Sequence, residues 1–281
     1  MKGKTVLITG ATNGIGKAAT LEIAKQGATI VIVGRDKTKT ENVVNELRSV
    51  SGNKTIDFFL ADLSSQKDIH KLASDFKAKY SRLDVLINNA GGFFDKRKTT
   101  VDGLEYTFAF NHLGYFLLTN LLLDVLKTSS PSRIVNVSSA AQGMGKINFD
   151  DLQSQKKYQG FPVYSMTKLA NVMFTYELAK RLEGTGVTVN ALHPGVVNTG
   201  FGDGTGGLFG ILFSLVKRFQ GITPEQGADT VIYLATSPEV AGVTGKYFDK
   251  RKTKQTSPTS YDDAANKRLW EESAKLVKLP A

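Results

Sequence analysis

The chain opens on an unbroken apolar run, Thr5–Thr9, the pattern of a strand buried on both faces. A glycine-containing turn follows at once, and residues 15 to 26 then repeat apolar positions at helical spacing. The strand signal returns at 29–33, 56–61, 83–88, 133–138, 188–193 and 245–248, with segments of helical period between. This alternation predicts an α/β fold: a single-domain, Rossmann-type, doubly wound parallel sheet of about seven strands with helices on both faces. No linker rich in proline, glycine or serine divides residues 1–281, so one domain is expected. Two stretches break the rhythm, a polar one at 142–160 and a glycine-rich turn with a short apolar helix at 199–221. Loops of that length are often functional, and a substrate lid is expected at about 199–221.

With 41% hydrophobic and 22% charged residues, the 281-residue chain has the make-up of a soluble globular protein with a large core. It contains no cysteine, which excludes disulfides, a thiolate nucleophile, iron–sulfur clusters and cysteine zinc sites. His70, His112 and His193 lack metal-ligand spacing, so no metal is expected. The longest apolar run, 208–216, is broken by Gly210 and Ser214 and falls short of the roughly 20 residues of a membrane span. Lys2-Gly3-Lys4 leads directly into the first strand, so we expect no signal peptide and a cytoplasmic location. The net charge of +10 favours anionic ligands such as phosphates. The basic residues are scattered apart from Lys250, Arg251, Lys252 and Lys254, which read as a solvated loop, and no aromatic stripe accompanies them. Nucleic acid is therefore not an expected partner.

Candidate chemistry begins at Thr9-Gly10-Ala11-Thr12-Asn13-Gly14-Ile15-Gly16, where the first strand passes to the first helix. Glycines there let the backbone approach a pyrophosphate while helix N–H groups face it, so a dinucleotide is expected. After the second strand the sequence reads Val33-Gly34-Arg35-Asp36, with arginine where folds that prefer NAD carry an acid. A guanidinium suits a 2′-phosphate, which predicts NADP(H), with Asp36 a competing partner for a ribose. Tyr164 and Lys168, four apart, share one helix face. A cation that favours the phenolate would lower the tyrosine from its usual value near ~10 and make it a usable proton donor. That spacing alone is common on helix surfaces. It gains weight from Asn88-Asn89-Ala90-Gly91, Ser138-Ser139 and Pro194-Gly195, all at strand C-terminal ends, where ligands of open parallel sheets bind.

In this order the glycine turn, Asn-Asn-Ala-Gly, the strand-end serine and Tyr-x-x-x-Lys resemble the short-chain dehydrogenase/reductase family. Asn111-His112-Leu113-Gly114, the segment Arg133 to Ser139, Lys168-Leu169-Ala170-Asn171, His193-Pro194-Gly195-Val196-Val197, Gly245 to Phe248 and Arg268-Leu269-Trp270 look like its retinol dehydrogenase branch. So does the gap of 25 residues from Ser139 to Tyr164. The resemblance implies a catalytic set of Asn111, Ser139, Tyr164 and Lys168. Tyr164 protonates the carbonyl oxygen as hydride arrives, and Ser139 hydrogen-bonds that oxygen. Lys168 holds the nicotinamide ribose and lowers the tyrosine pKa, and Asn111 supports a water-linked proton relay. It further implies cofactor contacts from Asp62, Leu63, Asn89, Ala90, Gly91, Pro194, Gly195, Val196 and Thr199, beside those of the glycine turn and Arg35. Ser138, His112 and His193 read as structural.

Specificity is expected from 92–97, 142–160 and 199–221. Leu208, Phe209, Ile211, Leu212, Phe213, Leu215, Val216 and Phe219 suit the wall of a lipophilic pocket, a peripheral membrane contact or a docked surface helix. The expected substrates are lipophilic aldehydes, ketones or alcohols, retinoids among them. Relatives suggest a homo-oligomer, dimer or tetramer, built on helices at about 105–126 and 163–182. A non-catalytic NADP(H)-binding regulatory protein is the competing reading, but it predicts a broken tetrad, and all four residues are present. A serine hydrolase is excluded by the lack of a Gly-x-Ser-x-Gly elbow.

Overall fold

In β1 (Thr5–Thr9), Val6 and Ile8 enter one apolar core while Leu7 enters another, so the uninterrupted run marks a strand with both faces covered. β2 (Thr29–Gly34) divides its residues in the same way, Ile30 and Ile32 against Val31 and Val33. The chain is described by a computed structural model over residues 1–195 and 222–280. The other parallel strands are β3 (Ile56–Leu60), β4 (Val85–Asn88), β5 (Ser132–Val137), β6 (Val187–His193) and β7 (Lys246–Asp249). Every strand expected from the sequence is present, its ends within two residues of expectation. The sheet order is β3-β2-β1-β4-β5-β6-β7-β8, and β8 (Lys252–Thr253) is antiparallel to β7.

That eighth strand corrects the reading of the basic cluster as a loop. Lys250 and Arg251 occupy a tight turn at φ 50° and 61°, conformations usually given to Asn-Gly. Arg251 is held there by ion pairing to both carboxylate oxygens of Asp229 and by its N–H on Thr230 Oγ1 at 3.2 Å.

Helices α1 (Gly14–Lys25) and α2 (Lys37–Ser51) cover one sheet face, and α3 (Gln66–Lys79) covers the other. A short α4 (Tyr106–Phe108) passes through a π turn, Ala109–Leu113, into α5 (Gly114–Leu121), and α6 (Leu123–Thr128) follows. The long α7 (Gly160–Arg181) lies beside α5, α8 (Pro224–Thr236) joins α1, and α9 (Asp263–Leu276) ends the chain. α9 lies over α5 and α7. Its Trp270 packs edge-on to Phe116 with ring centroids 4.8 Å apart, stacks on Phe174, and carries the Arg181 guanidinium 4.1 Å from its ring centre. The helices expected to pair with a second copy are therefore covered here by the chain's own last helix. Among the described residues, no helix is long and apolar enough to cross a membrane.

β1 sits between β2 and β4, so connections leave it in opposite directions and a crevice opens above the β1 and β4 ends.

Candidate active site

The turn after β1 is shaped by close approach. Gly10 has φ +66°, and a Cβ on Gly16 would lie 2.3 Å from the Gly10 carbonyl oxygen, so the turn folds tightly back on the helix start. Thr9 Oγ1 accepts the N–H groups of Asn89 and Ala90 at 2.9 and 3.0 Å. Asn89 Nδ2 in turn donates to the carbonyls of Thr9 (2.8 Å) and Gly10 (3.0 Å). The ends of β1 and β4 are thus stitched together, and the Asn89 amide is spent on that task. Asn13 holds the N-cap position of α1 without a side-chain cap bond, and no acid stands in the first turn. With Thr12, Gly14 and Ile15 around it, the helix start therefore offers N–H groups and a positive dipole end to an anion.

Arg35 follows β2 at the same edge with its guanidinium exposed. Its Nη1 donates to the Tyr106 hydroxyl at 3.2 Å and lies 4.0 Å from Asp62 Oδ2. The neighbouring Asp36 accepts the Lys39 N–H at 2.8 Å through Oδ1 as the N-cap of α2. Asp62 accepts both the N–H and the hydroxyl of Ser64, and Ser65, not Asp62, caps α3. Leu63 turns its side chain into the core, and its carbonyl packs against Gly114.

The reactive cluster is assembled from four elements. Tyr164 and Lys168 stand one turn apart on α7, both buried. Lys168 Nζ donates to the Val137 carbonyl at 3.2 Å and lies 5.6 Å from the Tyr164 ring centre. A Cβ on Gly91 would sit 3.2 Å from that nitrogen and 3.4 Å from Asn111 Oδ1, so the loop after β4 closes on both. Asn111 lies in the π turn and grips Gly92 twice, accepting its N–H and donating to its carbonyl, each at 2.8 Å. Ser139 follows β5, accepts the Ala141 N–H and hydrogen-bonds Tyr164, while His193 Nδ1 supports the loop by accepting the Ala140 N–H at 3.1 Å. Ser138 instead donates to the Lys168 carbonyl at 2.7 Å, a buried structural bond. Pro194 and Gly195 follow β6 at the same edge. Val196, Thr199, the expected lid at 199–221 and its apolar stretch 208–219 lie outside the described residues.

The electrostatics differ from expectation in one respect. Burial pushes the Tyr164 phenol up to about 12, with the Ser139 hydrogen bond pulling the other way, and burial pushes Lys168 down to about 8. Burial is the leading influence on the tyrosine here, while the Lys168 ammonium, close to its ring, donates to the Val137 carbonyl. At neutral pH the phenol keeps its proton and the lysine its charge.

Sequence reasoning did not foresee the aromatic wall. Phe93 stands edge-on to Tyr164, with ring centroids 6.0 Å apart. Phe94 meets Tyr106 at 4.7 Å, Tyr106 stacks on Phe110, and the Tyr158 hydroxyl donates to the Phe94 carbonyl at 2.8 Å. The only available signal was the pair of aromatics directly after Gly91-Gly92.

The short chain dehydrogenase family model matches residues 4–206. Human retinol dehydrogenase 13 is 47% identical over 290 residues, covering 99% of this chain and 86% of that protein. Among solved structures, an uncharacterized protein of Mycobacterium paratuberculosis aligns with TM-score 0.80 and 30% identity over 100% of this chain and 96% of its own. The RhlG/NADP active-site complex of Pseudomonas aeruginosa aligns with TM-score 0.70 and 26% identity, covering 88% and 94%. The chain belongs to the short-chain dehydrogenase/reductase family. Within that family of oxidoreductases it falls in the retinol dehydrogenase-like branch.

Proposed function

We propose that the protein is an NADP(H)-dependent oxidoreductase that interconverts lipophilic aldehydes or ketones and their alcohols, with retinoids as one substrate class. The observation that carries this reading is the convergence of Asn111, Ser139, Tyr164 and Lys168 beside a helix start shaped for a phosphate. The residues suit the cofactor: the uncapped α1 N-terminus for the pyrophosphate, and Arg35 for a 2′-phosphate. When bound, NADPH supplies hydride to the carbonyl carbon.

The chain's own groups do the rest. Tyr164 holds its proton at neutral pH and gives it to the carbonyl oxygen, so carbon gains hydride, oxygen gains the proton and an alcohol results. Ser139 donates a hydrogen bond to the same oxygen as charge develops on it. The Lys168 ammonium, held by Val137, stabilises the phenolate left behind, and Asn111 fixes the Gly92 backbone beside it. The aromatic wall from Phe93 to Phe110 supports an apolar substrate.

The test is loss of NADPH absorbance on adding all-trans-retinal and a panel of aromatic and aliphatic carbonyls. Tyr164→Phe keeps the ring and removes the proton, so it should bind NADPH normally and lose at least about a hundredfold in turnover. Undiminished turnover in that variant would discard the mechanism.

A further inference from the structure

Two of the sequence motifs contain polar residues that the proposed reaction leaves unused, His112 and Asn171, and with Ser273, just past a third motif, they meet in one buried chain. Asn171 Nδ2 donates to the backbone carbonyl of Asn111 at 2.9 Å. His112 Nδ1 lies 3.2 Å from Asn171 Oδ1, and His112 Nε2 lies 2.9 Å from Ser273 Oγ. His112 and Asn171 are 0% exposed and Ser273 is 1% exposed, so no solvent completes or exchanges these bonds. Ser273 belongs to α9, three residues past Trp270.

Only one arrangement of hydrogens satisfies every member. The Asn111 carbonyl can only accept, so Asn171 must turn Nδ2 toward it and Oδ1 toward the histidine. His112 must then carry its proton on Nδ1, which leaves Nε2 bare and makes the Ser273 hydroxyl its donor. Burial, which pushes His112 down to about 4 against the smaller effect of Asn171, keeps the ring neutral in that tautomer. The chain ends on the π turn, whose wider winding displaces the usual helical bonds, and the side chain of Asn111 extends from that turn to Gly92.

We propose that Ser273, His112 and Asn171 are positioning residues that hold the π turn where Asn111 can grip Gly92 beside Lys168, which makes the carboxyl-terminal helix part of the active-site apparatus. The role in turnover rests on the oxidoreductase reading; the positioning itself does not.

The test uses the full chain with Ser273→Ala, which removes the donor without adding bulk, and Ser273→Thr, which restores it. Amide hydrogen exchange at Gly92, whose N–H is held by Asn111, is followed alongside amides in β1 and β4. Ser273→Ala should exchange at Gly92 about tenfold faster while the strand amides are unchanged, and Ser273→Thr should return to the parent rate. With a carbonyl that the parent protein reduces, kcat should fall about tenfold or more in Ser273→Ala, with NADPH affinity within about twofold of the parent. The apparent pKa of the kcat profile should move as well. Unchanged exchange at Gly92, or acceleration spread equally over the sheet, would overturn the proposal. Turnover that survives in Tyr164→Phe would instead overturn the reductase reading and leave the exchange result standing.

Discussion

Arg35 shows how much a single residue can announce. Its place after β2 and the absence of an acid there were legible in the sequence, and the structure adds that the neighbouring Asp36 caps α2 through one carboxylate oxygen. Arg35→Asp should weaken NADPH by about 2 kcal/mol, roughly thirtyfold, while NADH changes little or improves. Parallel fluorescence titrations with the two cofactors check this, and equal losses would remove the 2′-phosphate assignment. Tyr164 and Lys168 were equally legible by spacing, but the direction of the tyrosine's shift was not. Spacing reports that a cation is near. It does not report that both groups are buried, and burial is the leading influence on each here.

Among the elements, the buried strands declared themselves because a strand covered on both faces needs a continuous apolar run. The π turn stayed hidden because residues 106–121 carry an apolar pattern that an unbroken helix would satisfy as well. β8 stayed hidden because two residues are too few for a period and its turn uses Lys-Arg where Asn-Gly would have signalled a hairpin. The β1–α1 turn is the element least tolerant of change. In Gly16→Ala the added methyl meets the Gly10 carbonyl oxygen at 2.3 Å and the Asn89 amide at 2.5 Å, neither of which can retreat without opening the strand ends. We expect a loss of about 1–3 kcal/mol in stability and a disproportionate loss of NADPH affinity, read from denaturant unfolding with and without the cofactor. Affinity equal to the parent would show that the turn does not cradle the ligand.

For the whole molecule, two buried groups, His112 and Asp84, contribute to the response to acid. Below its unfolded value near ~6.5, His112 takes up a proton in the unfolded chain but not in the native one until about pH 4. Stability should therefore fall by about 3 kcal/mol as pH drops across that window, and His112→Gln should flatten it. Asp84 acts lower down. Burial raises its carboxyl, but the hydrogen bonds from Arg82, Lys4 and the Thr5 N–H outweigh that and hold it below the usual range. Its contribution is present above the unfolded value near ~3.9 and is lost as pH falls through the native one. Thermal melting from pH 8 to 3 should show two successive declines, the second reduced in Asp84→Asn, with Asp57 and Asp249, also held below the usual range, supplying part of the rest; a parent melting temperature that holds steady from pH 7 to 4 would contradict the first.

The layered topology was legible because the alternation of buried runs and helices admits few windings. What covers α5 and α7 was not, since an apolar helix face does not say whether its partner is another copy or a later part of the same chain. Trp270 of the same chain packs on both helices, against Phe116 and Phe174.

That packing also orders events in time. A ribosome delivers the glycine turn before Asn111, Ser139 and Lys168, and the hydroxyl of Ser273 only after all of them. A growing polypeptide can thus assemble every reacting group and still lack the support that steadies Asn111. A message that stops before α9 yields a chain with all four residues of the proposed tetrad and without the Ser273 hydroxyl.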